Sequence, residues 1–177
     1  LQLMLVMKLS AKKKIDFSFI NGQRVTSLEV RDVAQSVFEE TNTKIVAALE
    51  AQGASAKSLI SDIFQCSIEN PELGYVGSIQ SVNVQLVNEV LESDSIPVIA
   101  PIGFQDSEML NINADIATVE LVKAINPYKA IFLSETGGIF NKTGELIPNI
   151  NLALEYEELM QEEWLHSGMK LKLEQIK

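Results

Sequence analysis

Residues 95–126 read "SIPVIAPIGFQDSEMLNINADIATVELVKAIN". The first ten form a continuous apolar run with two prolines, the pattern of a buried parallel strand that ends in a loop. The last eleven, "IATVELVKAIN", have the pattern of a helix stopped by Pro127. Between them "NINAD", residues 111–115, is too polar for a core strand. A buried strand, a polar loop and a helix in succession predict one unit of an α/β fold.

The same alternation extends outward in both directions. "EVRDVAQSVFEETNTKIVAALEAQG" (29–53) keeps its apolar residues at helical spacing and ends on Gly53, a natural stop. "AKSLISDIF" (56–64) predicts a short strand or turn, and "GYVGSIQSVN" (74–83) a tight turn or hairpin. "VQLVNEVLES" (84–93) is helical again, and "YKAIFLS" (128–134) predicts a second buried strand running directly into "ETGGIFNKTGE". "NLALEYEELMQEEWLHSG" predicts a helix ending near Ser167 and Gly168, with another beginning in "MKLKLEQIK". The chain therefore reads as α/β, a three-layer sandwich with a mainly parallel sheet. Ligands in such sheets sit beyond the carboxyl ends of the strands, so NINAD and "SETGG" (134–138) are expected to open on one edge.

Composition narrows the function. The chain has 177 residues, 46% of them hydrophobic, enough for one domain or two small lobes with a core. Its 14 Lys and Arg stand against 24 Asp and Glu, a net charge of -10, which excludes a nucleic-acid partner held through a phosphate backbone. The run Lys12-Lys13-Lys14 reads as a solvated turn. Cys66 is the single cysteine, so there is no internal disulfide and no cysteine-based zinc cluster. With His166 as the single histidine, most Ser-His-Asp chemistry is also removed, and Cys66 is expected to be a buried, inert thiol. No apolar stretch reaches the ~20 residues of a membrane helix. The opening "LQLMLVMKLSAKKK" puts its apolar part before its lysines, the wrong order for a signal peptide, and starts on Leu, as an internal piece of a longer chain would.

Several polar positions are candidates for chemistry. The amides of Asn111 and Asn113 can bond to a ligand and to the loop backbone, and Asp115 stands at a helix start, where a carboxylate also caps. Capping needs one such residue, and the surplus points to function. "SETGGIF" sets glycines just past a strand, where backbone N–H groups can approach a phosphate, although the P-loop pattern is absent. Arg24, in "INGQRVT" (20–26), is the residue type that clamps a carboxylate. Lys170 and Lys172 lie near a predicted helix start and call for a compensating negative group, either a bound anion or Glu162 and Glu163.

Taken in order, "INGQRVT", "GYVGSIQSVN", "IPVIAPIG", "NINAD", "FLSETGGIF" and "SGMKLKLEQIK" resemble the acetylglutamate kinases, arginine-pathway members of the amino acid kinase family. The resemblance covers about Asp16 to Lys177, and the last 28 residues are most similar to the subgroup of fungal mitochondria and bacterial bifunctional synthase/kinases. It implies MgATP-dependent phosphorylation of the side-chain carboxylate of N-acetyl-L-glutamate. Arg24 would grip the substrate's α-carboxylate; Asn111, with Asn113, would bind the acetylglutamate. Gly77 and Ser78 would lie in a loop folding over it. Asp115 would orient the active-site lysines, Lys172 would steady the transferring phosphoryl group, and Ser134, Glu135 and Gly137 would lie along the nucleotide.

The resemblance further implies ATP and Mg2+ as cofactors, a homo-oligomer, and a mitochondrial matrix location in a eukaryote or a cytoplasmic one otherwise. Residues 1–126 would form an acetylglutamate-binding lobe and 127–177 the start of a nucleotide-binding lobe. The Lys-x-Gly-Gly strand and His-Gly-x-Gly-Pro loop of such kinases do not occur in these 177 residues, so the fragment alone is expected to be inactive. The same resemblance extends to acetylglutamate synthases, in which a kinase-like domain is regulatory and a further domain transfers acetyl from acetyl-CoA.

Overall fold

A computed structural model of the chain describes residues 18–20, 23–133, 137–165, 169–170 and 173–174. The chain divides into two compact units, Leu1–Ile125 and Asn126–Lys177.

The first unit begins with a two-residue ladder, β1 (Phe19–Ile20) against β2 (Gln23–Arg24). Helix α1 (Leu28–Glu50) follows, and the Ser27 hydroxyl accepts the Val30 N–H at 3.3 Å to cap it. Its buried stripe, Val30, Val33, Ala34, Val37, Phe38 and Asn42, repeats every three or four residues and so occupies one face. The helix closes at Gly53, which has φ +83°. The Gly53 N–H reaches the Glu50 carbonyl and the Ala54 N–H the Leu49 carbonyl, the paired bonds of a Schellman ending.

Strands β3 (Ala56–Leu59) and β4 (Phe64–Ser67) come next, then a 3-10 turn (Pro71–Leu73), β5 (Ser78–Val82) and α2 (Val84–Glu92). Strands β6 (Ile96–Ile99), β7 (Ile102–Gln105) and β8 (Glu108–Asn111) precede α3 (Ala114–Ile125). Strand β3 pairs parallel with β6. The four-stranded sheet runs β5-β4-β7-β8, with a parallel pair at its centre and antiparallel pairs on its flanks.

Layering follows from the two-residue period of the strands. Ile60, Ala100 and Met109 pack with α1, whereas the adjacent Leu59, Ile99 and Leu110 pack with Val87 of α2 and Ala117 of α3. Helices therefore cover both faces, as the α/β reading requires. The buried Asn42 donates to the Val98 carbonyl at 2.7 Å and ties α1 to β6.

Several expectations need correction. The apolar run 95–104 is two strands, not one. Pro101 has no N–H for the ladder, and the Ile102 N–H turns back onto the Ala100 carbonyl at 2.9 Å. Residues 105–111 form the turn and second arm of a β7–β8 hairpin, with Gln105 opposite Glu108 and Asp106 at φ +53°. Asn111 is consequently the last residue of a strand. The stretch 74–83 is not a hairpin of its own, because β5 pairs with β4. Residues 128–133 form no strand and have no partner strand among the described residues; Tyr128 and Leu133 lie almost fully in solvent.

In the second unit Phe140 and Leu146 bridge antiparallel around a turn in which Asn141 Oδ1 accepts from the Thr143 and Glu145 N–H groups. Helix α4 (Leu152–Gln161), capped by Asn151, packs Leu159 against Leu165 and Leu173. His166 and the lysine run 12–14 lie outside the described residues.

The centre of the first unit has no spare room. A Cβ added at Gly103 would lie 2.2 Å from Cys66 Sγ and 2.8 Å from Ile112 Cδ1. Gly103→Ala should therefore destabilise the protein by ~1–3 kcal/mol. Urea unfolding should also show Cys66→Ala recovering most of that loss in the double variant, since the sulfur is the main obstacle. Purely additive effects would show that the two sites do not compete for the same space.

Candidate functional site

Three chain segments meet beside the end of β8. The Thr26 N–H donates to the Leu73 carbonyl at 2.8 Å, and the Tyr75 N–H donates to the Thr26 carbonyl at 2.8 Å. On its other side, the Tyr75 carbonyl accepts the Asn111 N–H at 2.9 Å, and the Gly77 N–H donates to the Asn111 carbonyl at 3.0 Å. Tyr75 thus joins the segment after β2 to the end of β8 through its backbone alone. Gly74 makes the approach possible: it has φ +67°, and a Cβ there would stand 2.4 Å from the Thr26 carbonyl oxygen.

This junction brings together two of the residues singled out above, 87 positions apart. Arg24 Nη2 donates to Asn111 Oδ1 at 3.3 Å. A guanidinium offers no acceptor, so the amide oxygen must face it, and Asn111 Nδ2 is turned to Thr26 Oγ1 at 3.5 Å. Thr26 is fully buried, and its hydroxyl donates to the Arg24 carbonyl at 3.3 Å.

Arg24 is only 8% exposed. Its Nε and Nη1 are buried without a hydrogen-bond partner among the described residues. Burial pulls its pKa below the ordinary arginine value, because desolvation disfavours the cation. A buried cation with idle donors costs stability in the free protein and is the arrangement that receives an anion.

The other expected residues divide. Asn113 is a helix cap: its Oδ1 accepts the Asp115 N–H at 2.8 Å and the Ile116 N–H at 3.4 Å. Asp115 sits half-buried in the first turn of α3. Gly77 and Ser78 do not form a loop free to fold over a ligand. Gly77 is bonded to Asn111 and lies where a Cβ would press on Cys66 and Leu110, and Ser78 begins β5 opposite Ser67. Gly137 belongs to the second unit, where its φ of +76° favours glycine. Ser134, Glu135 and Lys172 lie outside the described residues. Lys170 donates to the Met160 carbonyl at 2.8 Å, in the last turn of α4, so a helix C-terminus supplies the negative group sought for it.

Sequence reasoning missed Thr26, Gly74, Tyr75 and Arg31. The Arg31 guanidinium stacks over the Tyr75 ring, 4.6 Å from its centroid, and pairs with Asp32 at 3.0 Å and Glu108 at 3.6 Å. An arginine in the second turn of a helix carries no sequence signal for such a role.

Residues 4–176 match the sequence model of the amino acid kinase family. The chain is 44% identical over 160 residues to the acetylglutamate kinase of Xylella fastidiosa strain Temecula1, covering 89% of this chain and 38% of that protein. It is 36% identical over 161 residues to the bifunctional protein argC, mitochondrial, of Dictyostelium discoideum, covering 90% of this chain and 19% of that protein. Among solved structures it resembles smu.665 of Streptococcus mutans UA159, with a TM-score of 0.87 and 25% identity, covering 97% of this chain and 72% of that one. The chain therefore spans under two-fifths of the length of these curated relatives.

Two predictions follow from the burial of these groups. Arg24→Met should leave the stability of the unliganded protein unchanged or raise it by up to ~1–4 kcal/mol, since a buried cation without a counter-charge among the described residues is removed. A large loss in thermal unfolding would show that the arginine serves the fold. Burial pushes the Cys66 thiol from 9.0 up to about 11. Between those values the unfolded chain holds fewer protons than the folded one, so stability falls as pH rises through that window, by at most ~1.4 kcal/mol per pH unit. Urea midpoints between pH 8 and 11 should show this slope in the wild type and less of it in Cys66→Ala.

Proposed function

Because the chain belongs to the amino acid kinase family, we propose that the protein carrying it transfers the γ-phosphoryl group of MgATP to the side-chain carboxylate of N-acetyl-L-glutamate, a step of arginine biosynthesis. The observation that carries the proposal is the buried, under-partnered Arg24 held against Asn111 at the Tyr75 junction. A kinase for this substrate needs a fixed cation for the α-carboxylate and an amide beside it. The names of the Xylella and Dictyostelium relatives support the same substrate class.

In this reading Arg24 holds the α-carboxylate and Asn111 binds the acetylglutamate next to the reacting centre. The other carboxylate of the substrate is ionised at neutral pH and is itself the nucleophile, so no general base is required. Phosphoryl transfer then asks for alignment and for positive charge around the equatorial oxygens. Lys172 supplies that charge, Asp115 orients the lysines, and Ser134, Glu135 and Gly137 lie along the nucleotide. Asn113, already committed to capping α3, fixes the turn that follows Asn111 at the end of β8. Gly77 serves through its backbone, and Ser78 through the strand it opens.

The first unit is the acetylglutamate lobe and the stretch from residue 127 begins the nucleotide lobe. Among the described residues no cluster of three His, Cys, Asp or Glu side chains could hold a metal. In this reading Mg2+ enters with the nucleotide's phosphates, as a cation that keeps much of its water does. The active protein is a homo-oligomer, and in a eukaryote its place is the mitochondrion, the location printed in the Dictyostelium name.

Acyl-phosphate formation, trapped with hydroxylamine, tests the proposal in the full-length gene product. Acetylglutamate and MgATP should yield hydroxamate that disappears in Lys172→Ala. In Arg24→Met the KM for acetylglutamate should rise by a factor equivalent to ~2–5 kcal/mol, the cost of removing one partner of a buried charged contact. No hydroxamate, together with consumption of acetyl-CoA in the presence of glutamate, would reassign the chain to the regulatory domain of a synthase.

A further inference from the structure

The Arg24–Asn111 pair is set by a backbone junction that passes through one residue, Tyr75, and Tyr75 is itself held by a side-chain clamp on the same three elements. Arg31 rises from the second turn of α1, four residues after the capping Ser27, and lies over the Tyr75 ring at 4.6 Å. The same guanidinium reaches Glu108, three residues before Asn111 on β8, at 3.6 Å. Asp32 accepts from Nε at 3.1 Å and from Nη2 at 3.0 Å. With its side chain only 16% exposed, Arg31 is partly desolvated, the condition under which a cation–aromatic contact is strongest.

The backbone level and the side-chain level therefore join the same three segments. At one level Thr26, Tyr75 and Asn111 are hydrogen-bonded in series. At the other Arg31 is the central member: its guanidinium lies over the Tyr75 ring and also reaches Glu108. Loss of the side-chain level would leave the Gly74–Gly77 stretch, with two glycines, held between Thr26 and Asn111 by its backbone hydrogen bonds and the packing of Gly77, and so able to shift slightly.

We propose that Arg31 and Tyr75 are positioning residues: their stack, anchored on Glu108, sets the separation and angle of Arg24 and Asn111, and with them the affinity for the acylated amino acid. This rests on the kinase reading for the identity of the substrate, but not for the geometry. Both act through the Arg24–Asn111 pair rather than as ligands of the substrate. The ring matters through its face, so the phenolic hydroxyl is dispensable.

The test uses the full-length protein with Tyr75→Phe, Tyr75→Leu and Arg31→Met, the last of which keeps the ring in place if the leucine variant fails to fold. In Tyr75→Leu and Arg31→Met, the KM for N-acetyl-L-glutamate should rise by between ~10- and ~100-fold, the scale on which sub-ångström misplacement acts, with the KM for ATP unchanged. Tyr75→Phe should behave as wild type. Equal rises in both KM values, no rise in a folded Arg31→Met protein, or a Tyr75→Phe defect as large as that of Tyr75→Leu would each overturn the proposal.

A second readout needs no substrate, and it separates this proposal from the kinase reading. In ligand-free, 15N-labelled protein the Arg24 Nε–H and Asn111 side-chain amide signals should move in Tyr75→Leu and Arg31→Met and stay in place in Tyr75→Phe. If wild type forms no hydroxamate yet these signals move as stated, the substrate is wrong and the positioning holds. If they do not move, the positioning is wrong whatever the substrate.

Discussion

The hydrogen bonds on either side of Tyr75 are the constraint on which the rest of this molecule depends. Its N–H reaches the Thr26 carbonyl and its C=O reaches the Asn111 N–H. Val76 then bridges Asn111, and the chain continues from Gly77 directly into β5, the far edge of the four-stranded sheet. The two edges are thereby linked by one continuous stretch, which leaves β8 without an open ladder at that end. The small residues at the centre follow from this closure. Cys66 lies between Gly77 and Gly103: a Cβ at Gly103 would meet its sulfur at 2.2 Å, and one at Gly77 would stand a tight 3.0 Å from its Cβ. The thiol between them is buried, and that burial suppresses its ionisation.

Within so tight a frame, Arg24 stands out. A fold selected for stability alone would not keep a guanidinium 8% exposed with two nitrogens unpartnered among the described residues, since each unmet buried donor costs ~1–3 kcal/mol. The surrounding structure carries that cost through burial of the α1 stripe and the two apolar clusters on either side of the sheet. Thr26 shows how far the local arrangement is fixed: fully buried, it spends its hydroxyl on the Arg24 carbonyl and its backbone on Leu73 and Tyr75. Side-chain order is thus established before any ligand arrives, the condition for tight binding at low entropic cost.

Much of this was legible in the sequence wherever a local pattern matched a local structure. The 3.6-residue stripe of α1 and its glycine stop were readable because periodicity and capping are properties of neighbouring residues. Arg24 and Asn111 were singled out by residue type, and the structure brings them together at 3.3 Å. The β7–β8 hairpin was not: "QDSEML" has no Asn-Gly or Asp-Gly signal, and the positive φ falls on an aspartate. The split at Pro101 was visible as a proline, but its consequence depends on which strands flank it. The apolar run 128–133 reads as a strand by composition, yet a strand is defined by its partners, and none exists among the described residues. Arg31, Tyr75 and Glu108 were silent because their meeting is tertiary, joining positions 31, 75 and 108.

Asn113 and Asn111 show how one motif can serve two physical ends. The first gives its oxygen to the N–H groups of Asp115 and Ile116, aligning α3. The second, two residues earlier, ends a strand and turns its oxygen to Arg24. Strand geometry sends alternate residues to opposite faces, and Ile112 between them goes into the apolar cluster with Leu110 and Ala117. The motif N-I-N-A-D is therefore a strand end and a helix cap sharing one buried isoleucine, which leaves the side chain of the first asparagine to Arg24 and holds it by its neighbours. Among the described residues this amide oxygen accepts from Arg24, and Nε and Nη1 of that arginine have no hydrogen-bond partner. A carboxylate entering there would meet donors that need not be taken from another partner. The free protein has already met the cost of orienting them.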